Sequence, residues 1–220
     1  NAAIMMAEDD GLLVRSLLMY DDISSAPKGL ENERRGAAGT IFIYKVLGAA
    51  AEAGMSLDAL LNLGKAVRAR TRTLAAAVAP GISPLTGEVM FTLPDDEIFI
   101  GMGVHGEPGV GRRKIGPVAD LVEFMVAEIL ADRPISKGTP TVVLINGAGG
   151  TTQMELLTVF AEVTERLAEK GIPIVSPMIG SFSTTQEMRG FSISLFTPKH
   201  DMLEYWRAPQ RSPNFPQIYG

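Results

Sequence analysis

A histidine set among glycines is the feature of this 220-residue sequence with the most evident chemistry. The stretch Gly101-Met102-Gly103-Val104-His105-Gly106-Glu107-Pro108-Gly109-Val110-Gly111 holds five glycines in eleven residues and directly follows an apolar run. Such a loop turns sharply and lets its backbone come close to a ligand. Nearby glycines also remove side chains that would shield the ring, and imidazole is largely neutral and nucleophilic near physiological pH. His105 is therefore a candidate nucleophile, base or ligand, weighed against the ordinary role of a structural hydrogen-bonding histidine. Glu107 either caps the loop or fixes the tautomer of His105. The cap is favoured, because neighbouring loop residues often point apart. Arg112 and Arg113 read as a solvated basic turn, with a smaller claim to face a partner or a phosphate.

Two further clusters follow. Asn146-Gly147-Ala148-Gly149-Gly150-Thr151-Thr152 lies between an expected strand and an expected helix, where free N–H groups and the helix dipole converge. It matches neither GxxxxGK[ST] nor GxGxxG, so a tight helix entry outranks a nucleotide site. The third cluster runs from Gly180 to Ser192 and is rich in hydroxyls, which serve either as polyol contacts or as turn formers. His200 reads as a helix cap.

These clusters need elements to carry them. Residues 2–8 read as a helix and 11–20 as a buried strand ending at Asp21-Asp22; 23–35 reads as a loop. Helices are expected over 37–53, apolar on all sides and ended by Gly54, and from a Ser56 cap to about residue 70. Strands follow at 74–79, 88–93 and 97–104. The remainder alternates: helix 118–130, strand 141–145, helix 153–170, strand 172–178, strand 191–196 and a short helix at 202–206. Pro173 marks a strand start or edge. This pattern implies an α/β fold, mixed sheets flanked by helices, in two subdomains: 1–72, 73–208 with the histidine loop, and a loosely held tail at 209–220. Ligand sites gather at strand ends in such sheets, so the turn at 146–151 is expected beside the His105 loop, and His105 beside a concave polar pocket.

With 46% hydrophobic residues the chain can bury a real core. A net charge of −5 and a pI near 5.1 argue against nucleic-acid or anionic-membrane partners. Cysteine is absent and histidine occurs twice, which excludes disulfides and thiolate metal sites and leaves little for a histidine metal centre. No apolar run reaches the roughly 18–20 residues that span a bilayer, so a cytoplasmic setting is expected. The chain opens at Asn1 without an initiator methionine, inside an expected helix, which suggests sequence upstream.

Taken in order, four segments resemble the sugar-binding subunit of dihydroxyacetone kinases: Glu33-Arg34-Arg35-Gly36-Ala37-Ala38-Gly39-Thr40 with Gly48-Ala49-Ala50-Ala51-Glu52-Ala53-Gly54, the HGEPG core at residues 105–109, Asn146 to Thr151, and Thr184 to Ser192. HGEPG is the most specific. The resemblance implies that His105 attacks the ketone of dihydroxyacetone, or of a related short ketose, to form a covalent hemiaminal, with Gly103, Gly106 and Glu107 around the substrate. A covalent bond to the carbonyl carbon would select ketones over polyols and orient the hydroxyl for transfer. The resemblance also implies that this chain binds no cofactor, that ATP or ADP with Mg²⁺ sits on a partner subunit or domain, and that the protein is a homodimer. The family's GGGSGHEP-like segment, and the YTGD-like segment whose aspartate acts as base, are expected before Asn1, so the chain alone is expected to be inactive. Thr184-Thr185-Gln186-Glu187-Met188 replaces the usual TSLDM and Leu74-Ala75-Ala76-Ala77 the usual SIGVA, which leaves a tetrulose open as substrate. The alternative is a non-catalytic ketose-binding regulator, a transcriptional coactivator; a nucleotide-binding domain built on residues 147–150 ranks below both.

Overall fold

The computed structural model describes residues 2–210 together with Ser212 and Phe215. Among these, a six-stranded mixed sheet forms the centre. Its strands are β1 (Thr71–Ala79), β2 (Glu97–Ile100), β3 (Gly111–Lys114), β4 (Thr141–Gly147), β5 (Ile174–Gly180) and β6 (Arg189–Phe196), in the order β3-β2-β1-β6-β4-β5. Only β4 and β5 run parallel; the other pairs are antiparallel. The helices are α1 (Ala2–Asp9), α2 (Thr40–Glu52), α3 (Leu57–Ala69), α4 (Val118–Asp132), α5 (Gln153–Glu169) and α6 (His200–Arg207).

Strand alternation sorts the core into two layers. Ile193, Leu195, Val143 and Ile145 point to the face covered by α4 and α5, whose Val122, Met125, Val159 and Val163 are fully buried. Phe196, Val142 and Leu144 point to the other face and meet α2, α3 and α6 through Phe42, Val46, Val67 and Trp206. Phe42 packs on Phe196 and Trp206 at ring-centroid distances of 5.2 and 5.3 Å. Residues before and after the expected boundary near 72 thus share this second layer. A buried ion pair fastens them further: Asp132, at the end of α4, accepts two hydrogen bonds from Arg34 and one from Arg72.

Several elements differ from the sequence expectation. Residues 12–20 form no helix and join no ladder, and Leu18 is 76% exposed. Only residues 21–23 add to the sheet, bonding Thr73 where β2 is too short to reach. The expected strand at 88–93 is a small hairpin excursion, with Met90 N–H bonding Gly81 O and a single bridge between Ile82 and Val89. Strand β2 stops at Ile100 rather than at 104, because Gly101 takes φ +78 and turns the chain. Arg112 and Arg113 lie in edge strand β3, not in a turn; Arg113 stacks 3.9 Å from the Phe124 ring centroid. His200 is the first residue of α6 and makes no cap bond. Strand β5 begins just after Pro173 and forms the sheet edge, as the proline indicates. Most of the tail at 209–220 lies outside the described residues; Phe215 stacks 5.6 Å from Phe182.

Candidate functional site

The loop after β2 is held at both ends. Gly103 N–H bonds Glu107 O at 2.9 Å and Gly106 N–H bonds Gly103 O at 3.0 Å, with Gly106 at φ +85. At 103 a Cβ would meet the Glu107 carboxylate, which would have to move aside. Beneath the loop, the Arg35 guanidinium is clamped on Asp22 Oδ2 by Nε (3.1 Å) and Nη2 (2.8 Å), and donates to Gly101 O (2.9 Å) and Pro108 O (3.2 Å). Asp22 Oδ1 accepts Ser24 N–H at 3.0 Å. Its neighbour Asp21 is fully buried and accepts Ala37 N–H (2.8 Å), Gly39 N–H (2.9 Å) and Thr73 O–H (2.5 Å), which ties the entrance of α2 to β1. Burial pushes the Asp21 carboxyl above its usual pKa despite these bonds.

His105 stands at the tip with its side chain 81% exposed. Glu107 fills both roles weighed for it: one carboxylate oxygen accepts His105 N–H at 3.0 Å and the other lies 3.1 Å from the ring Nδ1. The expectation that the two side chains point apart is thereby corrected, because the turn at Gly106 folds residue 107 back over residue 105. Burial works to raise the Glu107 pKa, but hydrogen bonds from its own N–H and from the His105 ring and N–H outweigh it and hold the carboxyl below its usual range. A carboxylate facing Nδ1 favours the tautomer with the proton there, which leaves the Nε2 lone pair free.

The loop borders a cavity of about 420 Å³ between the entrance of α2, the face of β1 and β6, and the segment 181–188. Gly103, His105 and Glu107 line it; Gly106 does not, and serves the turn instead. Asn146 and Ala148 line the far wall. Segment 181–188 joins the two glycine clusters: the Thr185 hydroxyl donates to Val104 O, and Thr185 N–H donates to Ala148 O at 2.6 Å. Asn146 anchors the same segment, accepting Phe182 and Ser183 N–H at 2.8 Å and donating to Ser183 O at 2.8 Å. The three clusters therefore meet at one end of the sheet. Sequence reasoning passed over Asp22 and Arg35 as site supports; the only trace was an acidic pair at the end of an apolar run and an Arg-Arg-Gly ahead of a helix.

Residues 1–214 match the Dak1 domain. The chain belongs to this family. This Dak1 domain is 34% identical over 210 residues to the dihydroxyacetone-binding subunit DhaK of a PTS-dependent dihydroxyacetone kinase from Listeria innocua, covering 96% of the chain and 63% of that subunit. It is 34% identical over 215 residues to a D-erythrulose kinase from Mycolicibacterium smegmatis, covering 98% of the chain and 37% of that enzyme. The solved structure of the dihydroxyacetone kinase operon co-activator Dha-DhaQ superposes with a TM-score of 0.86 at 31% identity, covering 95% of the chain and 65% of that protein. The chain thus spans only part of the length of these relatives.

The glycine turn at 146–151 offers no open cradle to a nucleotide's phosphates. In the glycine turn, Ala148 N–H bonds Gly190 O (3.0 Å) and Gly150 N–H bonds Met188 O (2.8 Å), while Gly149 and Gly150 lie against the backbone of Thr185 and Glu187. The α5 entrance is closed by a capping box, Thr152 with Glu155, which puts a carboxylate where an anion would sit. No cluster of three or more His, Asp or Glu among the described residues is arranged to hold a metal ion. No helix among them is long and apolar enough to cross a membrane.

Proposed function

We propose that this chain holds a short ketose, dihydroxyacetone or a close relative, as a covalent hemiaminal on His105, and that it is the sugar-binding part of a kinase whose nucleotide and Mg²⁺ are carried by another subunit or domain. The observation that carries this reading is the Glu107 carboxylate 3.1 Å from His105 Nδ1, in a glycine-built loop at the rim of the cavity. With the proton on Nδ1, Nε2 attacks the carbonyl carbon. The C=O π pair moves to oxygen, which takes a proton and becomes a hydroxyl, while the Nδ1 proton leaves by way of Glu107; proton count and charge balance. Gly103 and Gly106 shape the loop around the substrate, and the bond reads a carbonyl that a polyol lacks. The phosphoryl step, the partner, homodimer assembly and a base supplied from elsewhere in the whole protein belong to the same proposal.

The likeness to Dha-DhaQ favours one second reading, a ketose-binding regulator that phosphorylates nothing. The test has two arms. Intact-mass spectrometry with saturating dihydroxyacetone is expected to show an adduct in the wild type and none in His105→Ala, and ketose phosphate is expected only when the nucleotide-carrying partner is added. An adduct that persists in His105→Ala overturns the mechanism; ketone binding without turnover in the presence of the partner leaves the regulator.

A further inference from the structure

The sheet face that floors the cavity is small and polar where the rest of that face is apolar. Strand β6 presents Ser192 and Ser194 before Phe196, β1 presents Thr73 and Ala75, and β4 ends in Asn146. Nearly all of this polarity is spent within the protein. The hydroxyls of Thr73 and Ser194 bond at 2.7 Å, and Asn146 holds the segment at 182–183. Ser192 is the exception: it is 5% exposed and its Oγ has no partner. Of the four buried side-chain polar atoms without a partner among the described residues, it is the one that lines the cavity.

A buried hydroxyl left unpaired is destabilising, and an alanine, as stands beside it at position 75, would fit without that cost. The fold gives no reason for the hydroxyl. Its place relative to the reactive loop is set by the ladder: Ala75 faces Ser192 across β1 and β6, and Ala75 O accepts Gly101 N–H at 2.7 Å. Ser192 therefore lies two strand spacings, roughly 10 Å, from the backbone at the base of the loop. His105, at the tip of that loop, and Ser192 line the same cavity.

We infer that Ser192 determines specificity by exchanging a hydrogen bond with a terminal hydroxyl of the ketose whose carbonyl carbon is bonded to His105. The inference rests on the ketose reading above. A site built to pair with a substrate hydroxyl rejects the analogue that lacks it, because its own polar group is then left unpaired. The probes are dihydroxyacetone and hydroxyacetone, which differ by one terminal hydroxyl, titrated against the wild type and Ser192→Ala in the full chain by calorimetry and intact-mass adduct yield. The wild type is expected to favour dihydroxyacetone by about tenfold. Ser192→Ala should lose most of that preference, weakening dihydroxyacetone several-fold and hydroxyacetone by less than twofold. Its unfolding temperature should stay at or above the wild type's, since an orphan hydroxyl is removed. Equal weakening of both ketones, or of neither, with the wild-type adduct intact overturns the role of Ser192 alone. Absence of any adduct in the wild type overturns both readings.

Discussion

Replacing Glu107 by Gln tests the tautomer on which the hemiaminal depends. The two side chains have nearly the same shape, so the amide oxygen can keep the 3.0 Å bond from His105 N–H, but the group facing Nδ1 at 3.1 Å becomes an NH₂ donor. The ring then favours the tautomer with its proton on Nε2, and the attacking lone pair is lost. A hydrogen bond to a charged group contributes about 1.5–3 kcal/mol. The Glu107 side chain is 39% exposed, so solvent screening reduces this to about 1–1.5 kcal/mol, or about five- to tenfold in the equilibrium constant for the adduct. Titration of adduct yield against ketone concentration by intact-mass spectrometry reads that constant. The pH dependence carries a sign. Because the folded Glu107 pKa is depressed, its support is complete above the ordinary glutamate pKa and is lost as pH falls through the lower folded value. In Glu107→Gln this acid-side contribution should vanish while the circular dichroism spectrum is unchanged. An adduct constant within twofold of the wild type would refute the reasoning.

Asp132→Asn leaves Arg34 and Arg72 buried against a neutral partner and is expected to destabilise the fold by about 3–5 kcal/mol in urea unfolding. Burial alone would raise the Asp132 pKa, but the two arginines hold it below the usual range, so its contribution is present above the ordinary aspartate pKa and disappears as pH falls through the folded value; the variant's acid unfolding should lack that component. Glu187 is the one non-glycine residue with positive φ (60°) among those described, and Glu187→Gly is expected to raise stability by about 0.5–1 kcal/mol, read as a shifted urea midpoint.

Much of this could be read from the chain because it rests on local regularity. The apolar periods of α2 to α5 and the runs that became β1, β4 and β6 depend only on near neighbours, and HGEPG announces its loop through glycine content. What was not legible depends on who pairs with whom. Residues 12–20 have a strand's composition, yet no strand lies beside them among the described residues, and the four residues of β3 read as a charged turn because an edge strand keeps its side chains in solvent. The Asp22–Arg35 clamp joins residues 13 apart across an irregular loop, a spacing with no periodic signature. Ser192 belongs to the hydroxyl-rich cluster read as turn formers or polyol contacts, but nothing distinguishes it within that cluster until the register with Ala75 and Asn146 sets it on the cavity floor.

The wall formed by segment 181–188 is fastened through its own main-chain atoms and one hydroxyl: Phe182 and Ser183 on the Asn146 amide, Thr185 N–H on Ala148 O, the Thr185 hydroxyl on Val104 O, and the Thr185 and Glu187 carbonyls against Gly149 and Gly150. Its outward side chains, Thr184, Gln186 and Glu187, bear none of that load. Two of the three departures from the family's TSLDM pattern fall on these outward positions, and the third keeps a hydroxyl at residue 185. A segment with this division of labour can take substitutions on its solvent side without disturbing the wall behind it, whose cavity-facing residues are Phe182, Ser183 and Met188.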